Sequence, residues 1–409
     1  MSGAVRRGTG WVVRGLVAAL SLALLAGTGY GWTVRRELGQ LVTSDVLEPA
    51  AAGAPGPTAP QRPDQPFTAL LVGLDSRTDA AGNPLPPELL AQLRAGVDEG
   101  QLHTDTIILL HVPAGPRGGA VAISIPRDSF VELAEGGRHK INSAYGRAAK
   151  AAERDLAADG FTGPDLDRRT REAGRRALVA TVERFTGVAI DHYAEINLAG
   201  FVEMTEAVGG VPVCLRRAER EVRSGIDLPA GPQLVRGADA LAFVRQRHEL
   251  EGGDLDRIAR QQAFLAGMAS RVLSAGTLSD PAAVRRLVEV VTRNVVLDRG
   301  WELDRLIAQF RRASGGDIRF VTIPTGTPAL QTPVDGVAVQ VDPDRVRAFA
   351  EETISAADAA ASRPPVAVLA GPSPAAATAP IAPTTGSPTA TPAPPSSTPI
   401  SAAGVTCVD

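Results

Sequence analysis

Arginines and aspartates gathered in four short blocks carry the chemistry of this chain. The blocks read GLDSR (Gly73–Arg77), HTDT (His103–Thr106), SIPRD (Ser124–Asp128) and FVRQRHELEGGDLDRIARQQ (Phe243–Gln262). Each lies at the end of an apolar run or at the start of a helical pattern, where a sheet scaffold presents side chains to a ligand. Carboxylates set among several arginines suit a metal–pyrophosphate site: the acids can hold Mg²⁺, with Mn²⁺ as the alternative, and the guanidinium forks match phosphate oxygens.

Taken one at a time, the blocks leave alternatives open. Asp75 emerges after TALLVGL, beside Gly73, which allows close backbone approach. Asp105 precedes the apolar run IILLHV. Both acids also suit plain turn positions. In SIPRD, Pro126 ends a strand and displays Arg127 at its rim, to grip phosphate or to pair with Asp128. Arg245 and Arg247 share one face of an extended segment. Asp254 is placed to cap a helix on which Arg257 and Gln261 form an i,i+4 pair, with Ile258, Leu265, Met268 and Val272 on a core-facing stripe. A basic mouth at a helix N-terminus favours phosphate, and a solvated face of Arg–Asp pairs is the bland reading.

The elements that must position these blocks follow from hydrophobic periodicity. Strands are expected at Thr68–Leu74, Thr106–Val112, Val121–Ile125, His192–Ile196, Val211–Leu215 and Ile318–Ile323. Helices are expected at Arg168–Phe185, Leu198–Ala207, Leu255–Leu273, Ala282–Arg293, Leu303–Arg312 and Pro343–Ile354. Such alternation argues an α/β layer fold with helices flanking a sheet. Ala80–Gly100 reads as a loop or short helix, and the Ala- and charge-rich stretch Ala144–Arg171 as a mobile helical lid.

The two ends look different. Residues 15–34 are uncharged, long enough to cross a hydrocarbon core of about 30 Å, with Trp11, Tyr30 and Trp32 near the two ends. Arg6, Arg7 and Arg14 precede them and keep residues 1–14 inside. A cleaved signal peptide is the alternative. The expectation is a single-pass cell-membrane protein with an extracytoplasmic domain at 67–355, joined to the anchor by a linker over 35–66. From 356 to 409 the chain reads as a Pro/Ala/Thr-rich disordered tail. Cys214 and Cys407 are the only cysteines, and an oxidising compartment permits a bond between them or leaves both as thiols. A net charge of −3 gives no nucleic-acid footprint, and the short segment before residue 15 offers no room for a DNA-reading domain. No obligate protein partner is evident.

The order GLDSR, TDT, SIPRD, HKIN with AY, VRQR and GDLDRIARQQ resembles the LytR–CpsA–Psr family of bacterial envelope proteins, over about Phe67 to Val272. The resemblance implies an α/β/α sandwich around a mixed central sheet. It implies transfer of a glycopolymer, such as teichoic acid, from a polyprenyl-pyrophosphate carrier to peptidoglycan, forming a phosphodiester. It makes Asp75 and Asp105 the Mg²⁺ ligands. It places Arg77, Arg127, Arg245 and Arg247 on the pyrophosphate, with Lys140, Arg257 and Gln261 completing the cradle. Asp75, Arg127, Arg245 and Arg247 would carry catalysis. The family commonly has Arg where this chain has His103. A polyprenyl-pyrophosphate phosphatase or pyrophosphatase, and a non-catalytic envelope regulator, are the rival readings. A lipid groove would draw on Ile190, Phe201, Val202 and Val208, each of which also suits ordinary core.

Overall fold

The computed structural model describes residues 41–47, 65–93, 102–114, 119–246, 250, 254–272, 274–301, 318–362, 400–401 and 404–409. Expectations for residues 1–14, the apolar segment 15–34, Arg247 and the helix Leu303–Arg312 lie outside these residues. Among the described residues no helix is long and apolar enough to cross a membrane.

An eight-stranded mixed sheet forms the centre, in the order β1 (Val42–Ser44), β12 (Val295–Asp298), β7 (His192–Ile196), β2 (Phe67–Asp75), β3 (His103–Val112), β4 (Val121–Ser124), β13 (Arg319–Thr322) and β16 (Ile400–Ser401). β2 runs parallel to β7 and antiparallel to β3, and β3 is antiparallel to β4. The β2 exit, the β3 entry and the β4 exit therefore share one end of the sheet. The strands are buried on both sides, so they read as near-continuous apolar runs rather than alternating ones.

Strand alternation splits the core in two. Leu70, Val72, Leu74, Ile107, Leu109, Val121 and Ile123 pack on one face with α2 (Ser143–Ala158), α3 (Gly163–Thr186) and α9 (Pro343–Ser362). Ile108, Leu110, Ala120 and Ala122 pack on the other with α4 (Leu198–Ala207), α5 (Gly237–Arg245) and α6 (Asp254–Val272). Ile190 belongs to the first cluster, whereas Phe201, Val202 and Val208 belong to the second. These four cannot line one groove, because the sheet lies between them.

Several expectations change. The stretch Ala144–Arg171 is no lid. Tyr145 is fully buried, and a Cβ on Gly174 of α3 would lie 2.7 Å from its ring, so α2 and α3 meet too closely to swing apart. The linker expected over 35–66 contains β1, a parallel edge strand on β12, which was itself not foreseen. Ala80–Gly100 does hold a short helix, α1 (Pro87–Gln92).

The tail expected to be disordered from 356 is structured at both ends. α9 runs on to Ser362, β16 joins the main sheet, and β17 (Cys407–Val408) extends a smaller sheet ordered β11 (Gly231–Val235), β8 (Val211–Leu215), β17. Cys407 lies directly opposite Cys214 in that register, and the two are disulfide-bonded with Cα atoms 4.3 Å apart. Residues 363–399 lie outside the described residues.

Candidate functional site: a carboxylate–arginine cluster at one sheet end

The site begins with an irregularity. Gly73 pairs with Thr106 and Leu74 with Thr104, so Asp105 is an extra residue with no partner on β2. This one-residue bulge breaks alternation along β3 and re-aims the side chain. Thr106 lies opposite Gly73, on the face of α5 and α6. In a regular strand its neighbour Asp105 would point the other way. The bulge instead brings Asp105 into electrostatic contact with Asp75 and with Arg245 and Arg257. Gly73 allows the close approach of the two strands here: a Cβ would lie 3.0 Å from Thr106 Cβ, tighter than ordinary contact. His103 is the strand partner of Asp75.

Each acid is held by an arginine from a distant block. Arg127, just past β4, donates from Nη1 to Asp105 Oδ1 at 2.6 Å. Arg245, the last residue of α5, donates from Nη2 to Asp75 Oδ1 at 3.2 Å and from Nη1 to the Leu93 carbonyl at 3.1 Å. Arg77 turns back with Nη1 3.5 Å from Asp75 Oδ1. Arg257, in the first turns of α6, is 2% exposed and acts electrostatically on Asp105. Lys140 joins through Asp128, which lies 3.3 Å from Lys140 Nζ and 3.9 Å from Arg127 Nε. Asp128 is thus a bridging member whose role the SIPRD block left open. Gln261 points its amide at the Val244 carbonyl, 3.5 Å away, and steadies the end of α5 that carries Arg245.

The two carboxylates differ electrostatically. Burial pushes the Asp75 carboxyl above its ordinary value, opposed chiefly by Arg245 and reinforced by Asp105. Burial also acts upward on Asp105, but Arg127 and then Arg257 outweigh it, and its carboxyl lies below the ordinary value. Two neighbouring carboxyls pushed in opposite directions by burial and charge mark a candidate functional site. Among the described residues no cluster of three or more His, Cys, Asp or Glu side chains could hold a metal ion by itself. The donor set fits Mg²⁺ in its other mode, one or two carboxylates with the remaining positions filled by phosphate oxygens and water.

Not every arginine of the fourth block belongs here. Arg260 lies one turn from Arg257 but is fully buried elsewhere. It bonds Gln246 and the Asp409 carbonyl, and its Nη2 lies 3.3 Å from Glu219 Oε1. It locks α6 to the segment between the two VRQR arginines.

Fold and site together define an α/β protein with a carboxylate–arginine cluster at the end of its central sheet. A sequence model of the LytR_cpsA_psr family matches residues 42–354, and the chain belongs to that family. It is 41% identical over 356 residues to the cell wall biosynthesis protein LcpA of Corynebacterium glutamicum, covering 85% of this chain and 67% of that one. It is 27% identical over 278 residues to the polyisoprenyl-teichoic acid–peptidoglycan teichoic acid transferase TagU of Enterococcus faecalis, covering 68% and 74%. The fold is shared with protein gbs0355 from Streptococcus agalactiae, at TM-score 0.53 and 18% identity, over 72% of this chain and 88% of that one. It is shared also with the LytR-Csp2A-Psr enzyme from Actinomyces oris, at TM-score 0.50 and 19% identity, over 76% and 95%.

Proposed function

We propose that this protein is a membrane-anchored, Mg²⁺-dependent phosphotransferase that moves a glycopolymer from a polyprenyl-pyrophosphate carrier to a sugar hydroxyl of peptidoglycan. The observation that carries the reading is the convergence of Asp75 and Asp105 with Arg127, Arg245 and Arg257 at one sheet end. Family membership and the named activity of the TagU relative support it. The acceptor oxygen attacks the phosphorus that bears the glycopolymer. A new P–O bond forms, the bridging P–O bond of the pyrophosphate breaks, and polyprenyl phosphate departs.

Such a reaction asks the protein for positioning and charge neutralisation more than for covalent chemistry. Arg127, Arg245 and Arg257 would grip the pyrophosphate oxygens, with Lys140 and Arg77 at the margin and Arg247 assigned by motif alone. Binding the donor exchanges the present Arg–Asp bonds for Arg–phosphate ones and frees the carboxylates. Asp75 and Asp105 would hold the metal, whose contribution when bound is to neutralise charge on the phosphates. The acceptor's proton leaves as the bond forms, and Asp75 is the carboxylate assigned to take it, through an oxygen that the metal leaves free.

A transfer assay tests this, using purified protein, a synthetic lipid-linked donor, and peptidoglycan or water as acceptor. Phosphodiester-linked polymer on peptidoglycan is expected. Release of polyprenyl phosphate without transfer would establish the hydrolase instead, and no turnover the regulator. For the topology, protease added to intact protoplasts is expected to remove the domain, and protection would refute an extracytoplasmic placement.

A further inference from the structure

The GLDSR block has a second face that the site does not use. Asp75 and Arg77 point to the cluster, whereas Ser76 and Thr78, alternating with them, point the opposite way. There they meet Arg171 of α3, from the helix layer on the other side of the sheet. Arg171 is 7% exposed and donates three hydrogen bonds: Nη2 to Thr78 Oγ1 at 2.9 Å, Nη1 to Ser76 Oγ at 3.3 Å and Nε to Asp167 Oδ2 at 2.8 Å. The two hydroxyls are themselves 2.8 Å apart, and Ser76 Oγ accepts the Thr78 amide at 3.2 Å. Asn197, the cap of α4, holds the same turn from another side through the Thr78 carbonyl at 2.8 Å.

The base from which Arg171 reaches is rigid. One turn further along α3, Arg175 grips the buried Glu195 of β7 with two bonds of 3.0 Å, and Tyr193 donates to the same carboxylate at 2.7 Å. Arg171 and Arg175 are four apart and share a helix face. α3 is thus fastened to the middle of the sheet while its earlier turn clamps the exit of β2.

We infer that Arg171 is a positioning residue for the phosphotransfer site, fixing through Ser76 and Thr78 the turn that aims Asp75 and Arg77. The inference rests on the proposed function for what the turn serves. It adds a role for the serine of the GLDSR block, that of an anchor facing away from substrate. A misplacement of about 1 Å in a reacting group costs roughly 100-fold in rate, so a loosened turn is felt in turnover before it is felt in folding.

The test compares Arg171→Gln, the Ser76→Ala/Thr78→Val double variant, and the triple combination. The double variant leaves the Arg171–Asp167 pair in place, so it reports on the turn even where Arg171→Gln folds poorly. Three readouts are taken on the full chain: amide hydrogen exchange over residues 75–79, binding of inorganic pyrophosphate with Mg²⁺ by calorimetry, and kcat/KM with the lipid-linked donor. Faster exchange in the turn and a roughly 10- to 100-fold fall in kcat/KM are expected for both the single and the double variant. The triple variant should fall no more than about two-fold below the double variant, because all three changes act on the same Arg171–hydroxyl contacts. Ser76→Ala/Thr78→Ser, which keeps the acceptor oxygen at residue 78, should recover most of the loss seen with the double variant. Unchanged exchange, a double variant that works like the wild type, or multiplicative losses in the triple would each overturn the inference. A wild-type protein that neither binds pyrophosphate nor transfers would instead sink the functional reading, and the exchange readout still decides whether Arg171 holds the turn.

Discussion

Replacing Arg127 by glutamine removes the shortest bond in the cluster, and its cost can be worked out. Arg127 Nη1 lies 2.6 Å from Asp105 Oδ1, with the two side chains 13% and 28% exposed. A hydrogen bond to a charged group contributes about 1.5–3 kcal/mol net. Arg257 and Arg245 also favour the Asp105 carboxylate, so the variant does not strand a lone charge. Removing one of several crowded cations also relieves their mutual repulsion. The loss therefore falls at the low end, about 1.5 kcal/mol near pH 7.

The pH dependence sharpens the prediction. The Asp105 carboxyl lies below its ordinary value of 3.8 in the folded protein. A depressed carboxyl contributes stability that is present above the unfolded value and is lost as pH falls through the folded one. Arg127 is the largest downward influence, so the variant lacks most of that contribution at neutral pH and has little left to lose in acid. The gap between wild type and variant should stay near 1.5 kcal/mol above about pH 5 and close below about pH 4. Urea unfolding at steps between about pH 3 and pH 7 reads this directly, through midpoints at constant slope. A gap that persists unchanged into acid would refute the ion-pair account. In the transfer assay the same variant should lose roughly 100-fold in kcat/KM, the usual cost of one preorganised donor.

Other outcomes follow from the same geometry. Asp75→Ala and Asp105→Ala should each abolish Mg²⁺-dependent turnover and weaken Mg²⁺ binding measured by calorimetry in the presence of pyrophosphate, and retained activity would remove the metal assignment. Arg245→Ala should lower kcat/KM roughly 100-fold while the melting temperature drops by no more than about 5 °C; a collapse in melting temperature would make its bonds to Leu93 and Asp75 structural instead. Cys407→Ser should cost about 3 kcal/mol of stability by releasing β17 from β8, and an unchanged unfolding midpoint would show that strand pairing alone holds the segment.

Much of the layout was legible because apolar runs and capping residues act locally. Leu198–Ala207 forms as a helix with the bounds its pattern marks, and the strand expected at His192–Ile196 is equally close. What local signals missed depends on distant partners. Val42–Ser44 is a strand only because β12 supplies its edge, and β12 itself directly follows the end of a helix at Asn294, where no turn signal marks it. Ile400–Ser401 and Cys407–Val408 follow a stretch of low-complexity composition, and pairing with β13 and β8 ordered them. The segment Ala144–Arg171 has the alanines and charges of a mobile stretch, yet its Tyr145 is buried against Gly174, a distant glycine whose missing Cβ makes room for the ring.

Residue types, their order and their placement at element ends were determined by the sequence by itself, and so was the kind of chemistry they suit. The tertiary structure alone decided which of these residues meet. Asp105 reaches Asp75 only because β3 carries one residue more than β2 can pair. Arg257 and Arg260 are the same residue type within one turn of helix. One acts on the Asp105 carboxylate, and the other is buried against Gln246, Glu219 and Asp409. The reason is physical: strand register and helix orientation set a side chain's direction, and both are fixed by partners far away in the chain. The opposite shifts of Asp75 and Asp105 have the same origin, since burial and neighbouring charge exist only once those partners have assembled.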